Sequence, residues 1–439
     1  MTRVRVASGE TFRSLGIRNF RLFFVSQAVS LTGTWLQLIA QTLLVLRLTD
    51  SGAALGLLTV FQFGPILVLG AWAGLVIDRV DKRRLLAVTQ VVMASAALVL
   101  GVLVLTDAIT VPLVYALALV TGLGNTFDNP ARRVLVNELV PESEVANAVS
   151  LNSTVVNVAR LIGPAVAGLL ITGVGIGWCF VLNGLSYAAP FIALRRMDPA
   201  ELRSAPPVAR GRGQLREGFR YAWSVDELRI PLLLMAVVGT LAFNFQVLFP
   251  LFAQRDLDGG EWSYTVLTSI FGIGSLAGSL WLARRGRFDN RALGRAALVL
   301  GASTLALAAA PDLVLAAPAA VVVGFSSIAV LSGANTVLQL AVAPEMRGRV
   351  LALFTLVFLG STPIGGPIAG WLAEVAGARA GLALGAAAAV VGGASVLGWL
   401  RQRARRSEGS PCRPAGAGPS LVPPMLSVGD PSPGRPAPR

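Results

Sequence analysis

Twelve long apolar segments, separated by short charged or Gly/Pro-containing turns, dominate the 439-residue chain. Most are long enough to cross a hydrocarbon core of about 30 Å as a helix that rises about 1.5 Å per residue. Helices are the expected form because a bilayer core offers no hydrogen-bond partner to an open strand edge. The sequence therefore predicts an all-α membrane protein with twelve transmembrane helices. The segments cover residues 22–46, 53–77, 85–106, 111–135, 145–171, 176–194, 231–252, 264–283, 291–310, 313–342, 350–373 and 379–400.

The distribution of charge indicates how the chain crosses the membrane. Hydrophobic residues make up 54% of the chain and charged residues only 14%, which excludes an ordinary soluble protein of this size. A net charge of +14 would by itself suggest nucleic-acid binding. If the N-terminus is cytoplasmic, however, only Arg47, Arg255 and Arg379 of the 37 basic residues fall in outer loops, and Arg160 lies within a segment. The positive-inside rule thus predicts a multi-pass protein of the plasma (inner) membrane, embedded in the lipid bilayer, with both termini cytoplasmic. Because the excess of basic residues is explained by this topology, we expect no nucleic-acid partner.

The longest interior polar stretch divides the chain into two sets of six segments. We expect a six-helix bundle over residues 1–197, a cytoplasmic linker over 198–228, a second six-helix bundle over 229–401 and a disordered cytoplasmic tail over 402–439. The tail holds nine of the 25 prolines, which is typical of disordered segments.

An internal repeat supports this division. "VPESEVANA" and "LIGPAVAGLL" recur as "APEMRGRVLA" and "GGPIAGWL". Pro141 precedes Pro344 by 203 residues, and Gly163-Pro164 precedes Gly366-Pro367 by the same interval. Two pseudo-symmetric bundles of six helices are what such a repeat predicts.

Polar residues form a stripe along several of the helices. On the first, they recur at spacings of three and four residues, so they fall within about 80° of one another on a helix of about 100° per residue. Similar groups occur on the fourth, seventh and tenth helices, which favours a central water-filled cavity; hydrogen bonds between helices are the alternative. The candidate cavity residues are Gln27, Ser30, Thr34, Gln37, Gln41, Asn125, Asn244, Gln246, Asn335 and Gln339.

Asp128 and Arg160 are the ionisable residues that stand out within helices, away from the ends. A charged side chain at a helix centre costs about 2.5–3.5 kcal/mol on the insertion scale, so such residues usually have a function. Because the fourth and fifth helices are antiparallel neighbours, we expect these two residues to pair or to share a water network, with Asp128 as a candidate proton-coupling site. The alternative is that Asp128 simply binds Arg132, four residues further along its own helix.

Several catalytic and cofactor-binding patterns are missing from the sequence. The chain has no histidine, and its only lysine, Lys82, is followed by arginine, so there is no GK[ST] phosphate loop for ATP. Its two cysteines, Cys179 and Cys412, form no CxxC metal motif. We therefore expect no enzymatic activity, cofactor or metal site.

Two motifs resemble those of the major facilitator superfamily. The stretch "GLVIDRVDKRR" matches the loop signature G-x-x-x-D-[RK]-x-G-[RK]-[RK] at Gly74, Asp78, Arg79, Lys82 and Arg83, with Asp81 in place of the usual glycine. A Gly-Pro-x-x-x-Gly motif associated with exporters is present in the fifth helix as Gly163, Pro164 and Gly168. Together with "NFRLFFVSQAVSLTGTWLQLIA", these motifs make residues 12–400 similar to the exporter group that includes enterobactin and macrolide efflux proteins.

The resemblance implies the major facilitator fold and the export of a small molecule, such as a drug, a siderophore or a secondary metabolite. Export would occur by alternating access driven by protons, in what we expect to be a monomer. The resemblance also implies that Asp78 lies near Val350, at the start of the eleventh helix, as part of a cytoplasmic gate. Uptake of a small solute by the same fold, or a receptor or scaffold that transports nothing, are the alternatives.

Overall fold

The computed structural model describes residues 12–77, 79–203, 214–257, 259–285 and 288–408, and within these ranges twelve helices are long and apolar enough to cross a membrane. This confirms the predicted all-α architecture of twelve transmembrane helices. We number the helices α1 (Arg18–Thr49), α2 (Gly52–Ile77), α3 (Lys82–Leu105), α4 (Val111–Glu138), α5 (Val145–Gly173), α6 (Ile176–Arg196), α7 (Asp226–Asp256), α8 (Gly260–Arg285), α9 (Asn290–Ala309), α10 (Leu313–Ala341), α11 (Arg347–Ala376) and α12 (Ala378–Glu408).

Local chemistry fixes several helix ends. The carboxylate of Asp81 accepts a hydrogen bond from the backbone N–H of Arg83 at 2.8 Å and so caps α3. Asp289 and Asp312 cap α9 and α10 in the same way. Past the end of α11, Gly377 has a φ of 86°, a left-handed conformation that glycine adopts without strain.

Helix α7 is interrupted. Its first part ends at Leu241, a second part covers Phe245–Leu251, and Phe252–Asp256 is π-helical. At the break, the side-chain amide of Asn244 donates to the backbone carbonyl of Thr240 at 2.7 Å. A side chain that satisfies a backbone carbonyl in this way allows the helix to bend without leaving that carbonyl unpaired.

The two halves of the chain contact each other through matching helix pairs. Helix α2 packs along α11, and α5 packs along α8. The repeat in sequence relates α5 to α11, so these two pairs are equivalent under a pseudo-twofold relation. Glycines allow the approach: a Cβ on Gly56 would lie 2.7 Å from the backbone oxygen of Gly366, and one on Gly168 would lie 2.7 Å from Oγ1 of Thr265.

Polar contacts between the halves lie on one side of the membrane. We call the side on which α1 begins the terminal side and the opposite one the distal side. Among the described residues, all four inter-half hydrogen bonds or ion pairs lie in the distal half of the helices. They join Arg47 to Glu261, Arg255 to Asp50, the backbone N–H of Gly52 to Oε2 of Glu374 at 2.6 Å, and Gln246 to Gln62 at 2.8 Å.

The linker and the tail depart from the predicted boundaries. A helix over Gln214–Ser224, here the linker helix, packs on α11, where Glu217 pairs with Arg349 at 2.8 Å, and α7 already begins at Asp226. At the other end α12 continues to Glu408, so residues 402–408 of the predicted disordered tail are helical. Alanine and arginine in "RQRARRSE" are good helix formers, which explains the extension. Residues 204–213 and 409–439 lie outside the described residues.

Contacts between Cα atoms divide the chain into a compact unit over Met1–Gly398 and a second unit over Trp399–Arg439. The division into two six-helix bundles at 197 and 229 therefore stays a prediction, supported by the pseudo-twofold helix pairing.

Candidate functional site

A cavity of about 240 Å³ lies within the N-terminal half, between α1, α2, α3, α4 and α6. Its walls combine amides and hydroxyls with aromatic and aliphatic side chains, and Arg132 is the charged residue among them. The lining residues are Leu31, Thr34, Trp35, Gln37, Leu38, Gln41, Gln62, Phe63, Ile66, Met93, Thr121, Gly122, Asn125, Asn129, Arg132, Asn183 and Tyr187.

The polar stripe predicted on α1 faces this cavity and the neighbouring helices. Thr34, Gln37 and Gln41 line the cavity, and Gln37 accepts a hydrogen bond from the amide of Asn183 on α6 at 2.6 Å. Gln27 and Ser30 are buried and do not line this cavity, so their assignment to a central cavity stays a prediction. The stripe therefore serves both predicted purposes, since part of it is open to the cavity and part of it joins helices.

Asp128 is fully buried on α4 at the centre of a polar network. One carboxylate oxygen accepts hydrogen bonds from Thr89 at 3.0 Å and from Gln90 at 2.6 Å, both on α3. The other oxygen pairs with the guanidinium of Arg132, which also donates to the side-chain carbonyl of Gln27 on α1. The site thus connects three helices through one carboxylate and one guanidinium, and the guanidinium reaches the cavity.

The expected pairing of Asp128 with Arg160 is not what the structure shows. Arg132 lies one helical turn from Asp128 and takes that place, as in the alternative of a pair four residues apart. Arg160 instead lies over the ring of Trp35, 5.1 Å from its centroid, and its Nε has no hydrogen-bond partner. A cation over an indole face is a favourable contact, so Arg160 is stabilised without a carboxylate.

A chain of glutamines crosses from one half of the protein to the other. Gln246 on α7 donates to Gln62 on α2 at 2.8 Å, Gln62 donates to Gln41 at 3.3 Å, and Gln41 contacts the backbone carbonyl of Val114 at 3.5 Å. Gln41 and Gln62 both line the cavity. The chain therefore links the cavity directly to the distal contact between the halves.

The predicted cavity residues of the C-terminal half do not line this cavity. Gln246 is engaged with Gln62, and Asn244 stabilises the break in α7. Asn335 and Gln339 lie on α10, which packs against helices of its own half, so they do not reach the cavity. Of the C-terminal predictions, only Gln246 joins the network of the N-terminal half.

Aromatic residues cluster in the C-terminal half at the point where α7 is broken. Phe245 lies 5.0 Å from Phe249 and 5.1 Å from Phe271, measured between ring centroids. Phe243 contacts Phe358 on α11 edge-on at 6.4 Å. The break in α7 is thus surrounded by aromatic rings, whereas the wall of the cavity in the N-terminal half combines amides with aromatic side chains.

The loop motif between α2 and α3 makes its described contacts within the N-terminal half. Lys82 pairs with the buried Glu138 of α4 at 3.0 Å, and Arg83 donates to the backbone carbonyl of Leu194 at 2.8 Å. Arg79 is exposed. Asp78 lies outside the described residues, so its predicted position near Val350 stays a prediction.

The sequence profile of the transmembrane secretion effector family, a branch of the major facilitator superfamily, matches residues 10–413. The chain belongs to this family. It is a multi-pass membrane transporter of the major facilitator type, and not an enzyme.

Similar members of the family include efflux pumps. The chain is 28% identical to the multidrug efflux pump Tap of Mycolicibacterium fortuitum over 79% of its own length and 87% of that protein's. It is 24% identical to macrolide efflux protein A of Streptococcus pyogenes, over 79% and 87% of the two lengths. It is 26% identical to the staphyloferrin A transporter of Staphylococcus aureus over 60% of its length, but it covers only 66% of that protein.

Solved transporters share the fold of this protein. An inward-facing, unoccupied bacterial homologue of the human lysosomal transporter Spinster superposes with a TM-score of 0.67 at 16% identity, over 88% of this chain and 96% of that one. A POT family transporter superposes with a TM-score of 0.69 at 14% identity, over 89% and 96%. These neighbours confirm the major facilitator fold.

The Gly163-Pro164-x-x-x-Gly168 motif of α5 brings helices into close contact. A Cβ on Gly163 would overlap the side chain of Trp35 on α1, so the glycine brings α5 against the wall of the cavity. One turn further along, Gly168 admits Thr265 of α8, in the other half. Pro164 lies within α5 between these contacts. The motif therefore holds α5 between the cavity helix α1 and the inter-half contact.

Several residues of the site could not be identified from the sequence. Gln62, Asn183, Thr89 and Gln90 are isolated or adjacent polar residues in apolar helices and form no stripe. The available signal was the cost of any polar residue in a membrane helix, which indicates a partner without identifying it.

Proposed function

We propose that this protein exports a small amphipathic molecule from the cytoplasm by proton-coupled alternating access. The efflux pumps among its relatives support the direction of transport. The proposed proton coupling rests on one observation, the buried pair of Asp128 and Arg132 at the wall of the cavity.

Charge supports a cytoplasmic terminal side. Among the loops of the distal side, Arg47, Arg255 and Arg379 are the basic residues, and each pairs with a carboxylate, on Glu261, Asp50 and Asp256 respectively. Nearly all other basic residues belong to the terminal side, as the positive-inside rule requires of the cytoplasm. With that orientation, the inter-half contacts close the external side, which supports an inward-facing arrangement.

The cavity lining supports an amphipathic substrate. Thr34, Gln37, Gln41 and Asn125 offer hydrogen bonds, whereas Trp35 and Phe63 offer flat apolar surface. Pockets for drug-sized ligands typically measure about 300–1,000 Å³, so a cavity of about 240 Å³ holds part of such a ligand. The remainder would occupy space between the two halves.

Proton coupling follows from competition for Arg132. While Asp128 is ionised, the carboxylate holds the guanidinium, and both charges are compensated in a buried site. A proton on Asp128 would neutralise the carboxylate and leave the charge of Arg132 free to act on the cavity or to move. Because Thr89, Gln90 and Gln27 hydrogen-bond the pair, the change would reach α1 and α3 as well as α4. A proton can thereby bias two arrangements of the N-terminal half.

Everted membrane vesicles test this proposal. An imposed inside-acid pH gradient should drive accumulation of a labelled macrolide, a probe chosen because a relative is a macrolide efflux protein. Asp128→Asn should abolish gradient-driven accumulation, since the amide cannot take up a proton, while exchange of labelled for unlabelled macrolide without a gradient continues.

Asp312→Asn is the matched control, because Asp312 caps α10 on the distal side and lies outside the cavity. It should transport as the wild type does. Full gradient-driven accumulation by Asp128→Asn would remove Asp128 from the coupling mechanism. Gradient-driven loss of the macrolide from these vesicles would instead indicate uptake, and the absence of any flux for a panel of macrolides and siderophores would favour a receptor or scaffold.

A further inference from the structure

A second cavity, of about 690 Å³, opens between α3 and α6 on the terminal side of the protein. Its rim carries the guanidinium groups of Arg83, Arg84 and Arg195, and its wall is built from Val88, Val91 and Phe191. We call it the α3–α6 groove. None of its lining residues belongs to the substrate cavity, so it is a separate site.

Basic side chains outnumber acidic ones among the residues that line the groove. Asp81 is the carboxylate among the lining residues, and it accepts the backbone N–H groups of Arg83 and Arg84 as the cap of α3. Its contact with the side chain of Arg84 is long, at 3.7 Å, and Arg84 is 90% exposed. Arg195 lies 5.6 Å over the ring of Phe191. Three guanidinium groups thus face one carboxylate that is already engaged.

Arg83 has a buried hydrogen-bond donor that no acceptor satisfies. One of its terminal nitrogens donates to the backbone carbonyl of Leu194, but its Nε is buried and has no hydrogen-bond partner. A buried donor without an acceptor is energetically unfavourable, so a ligand that supplies an acceptor to this group would be favoured. An anion with several acceptor oxygens would meet this requirement.

The wall of the groove is apolar and continues into an exposed face of α3. Val88, Val91 and Val92 are 59%, 50% and 39% exposed, and Val99 and Val102 continue the same exposed face along α3. Exposed valines at this spacing on a membrane helix suit contact with acyl chains. The arginines lie at the terminal end of this face, which is where the head groups of a bilayer begin.

We propose that the α3–α6 groove binds an anionic phospholipid, whose phosphate pairs with Arg83 and Arg195 and whose acyl chain lies along the valine face of α3. Basic pockets between transmembrane helices on the cytoplasmic side recognise lipid head groups by this combination of charge and apolar wall. An anionic lipid fits better than a zwitterionic one, because the ammonium or choline group of the latter would add a positive charge beside the arginines.

Native mass spectrometry of the full-length purified protein, titrated with phosphatidylglycerol or phosphatidylcholine of identical acyl chains, tests the proposal. Each basic residue near a membrane surface contributes about 1 kcal/mol to the binding of anionic lipid, so two arginines give a preference for phosphatidylglycerol of about 30-fold. The double variant Arg83→Gln and Arg195→Gln should reduce that preference to less than twofold. Arg83→Lys with Arg195→Lys should keep most of it.

Arg291→Gln is the matched control, because Arg291 begins α9 behind the cap of Asp289 much as Arg83 begins α3 behind Asp81, yet it does not line the groove. It should leave the preference unchanged. Since Arg83 also bonds Leu194, Arg195→Gln alone provides a second variant that keeps this internal contact, with an expected loss of about fivefold in phosphatidylglycerol affinity.

An unchanged lipid preference in the double variant would overturn the proposal, as would an equal loss in Arg291→Gln. Glycerophosphoglycerol, the same head group without acyl chains, distinguishes a lipid from a free phosphate. If it competed as strongly as the intact lipid, the groove would be a site for soluble phosphates, and the proposed lipid site would be wrong.

Discussion

The glycine contact between α2 and α11 gives a quantitative prediction about closure of the distal side. A Cβ on Gly56 would lie 2.7 Å from the carbonyl oxygen of Gly366 and 2.8 Å from Cα of Pro367, whereas ordinary contact begins at 3.4 Å. Both neighbours are backbone atoms and cannot rotate away. In Gly56→Val the two helices must therefore separate by roughly 0.7 Å for the Cβ alone, the difference between 2.7 and 3.4 Å, and by more for the two methyl groups.

Overpacking of this kind typically costs about 1–3 kcal/mol. Because Gly56 and Gly366 belong to different halves, only the arrangement with the distal side closed bears the cost. The equilibrium between closed and open distal sides should then shift by about 5–150-fold toward the open one. A closed population that dominates slightly in the wild type would become the minority.

Spin labels across the distal side measure the shift. Ala108 in the turn after α3 and Pro311 in the turn before α10 are exposed and belong to different halves, so a cysteine at each can be labelled. Cys412 is replaced by serine, and Cys179 is buried. Double electron–electron resonance should show a larger population at long distances in Gly56→Val than in the wild type.

Gly64→Val is the control, because Gly64 lies on the same helix and a Cβ there would meet only its own neighbour Val60, at 3.7 Å. It introduces the same β-branched residue without touching α11. If both variants gave the distance distribution of the wild type, the glycine contact would not hold the distal side closed, and the reasoning from close approach would be refuted.

Two further predictions concern buried polar groups. Lys82→Met should lower the free energy of unfolding by about 3 kcal/mol, because it leaves the carboxylate of Glu138 buried without its partner. Adding Glu138→Leu to the same chain should restore much of this loss, and thermal melts of the two variants measure both effects. Gln62→Leu should shift the spin-label distances toward an open distal side, because the amide of Gln246 loses its acceptor at a cost of about 1–3 kcal/mol. If the double variant Gln62→Leu with Gln246→Leu shifted the distances no less, this hydrogen bond would not stabilise the closed distal side.

The sequence was sufficient for the features that depend on repetition. Twelve helices, their approximate bounds and the pairing of Gly163-Pro164 with Gly366-Pro367 all follow from patterns that recur along the chain. The stripe on α1 belongs to the same class, because residues spaced three and four apart share a helix face whatever they contact.

Which side chains contact one another could not be predicted in the same way. The spacing of four residues allowed the pairing of Asp128 with Arg132 as an alternative, but the position of Arg160 over Trp35 depends on how α5 is rotated about its axis. Rotation is set by packing contacts between helices, such as that of Gly163 with α1, and no local pattern reports it. The polar residues of α10 match the stripe rule, yet they do not line the cavity of the N-terminal half, and their assignment to a central cavity between the halves stays a prediction.

The glutamine chain explains how binding in the cavity can act on the distal side. The side-chain carbonyl oxygen of Gln62 accepts a hydrogen bond from Gln246 of the other half and keeps a second lone pair. Gln62 also lines the cavity, so a bound molecule with a hydrogen-bond donor at that wall would either share this oxygen with Gln246 or displace it. If it displaced Gln246, the halves would lose one of their distal contacts, and opening the distal side would no longer leave the oxygen unpaired. By linkage, a ligand that binds the open arrangement more tightly must shift the population toward it by the same factor. The position of one amide between cavity and interface therefore gives a route by which a bound molecule would affect opening of the side opposite the termini.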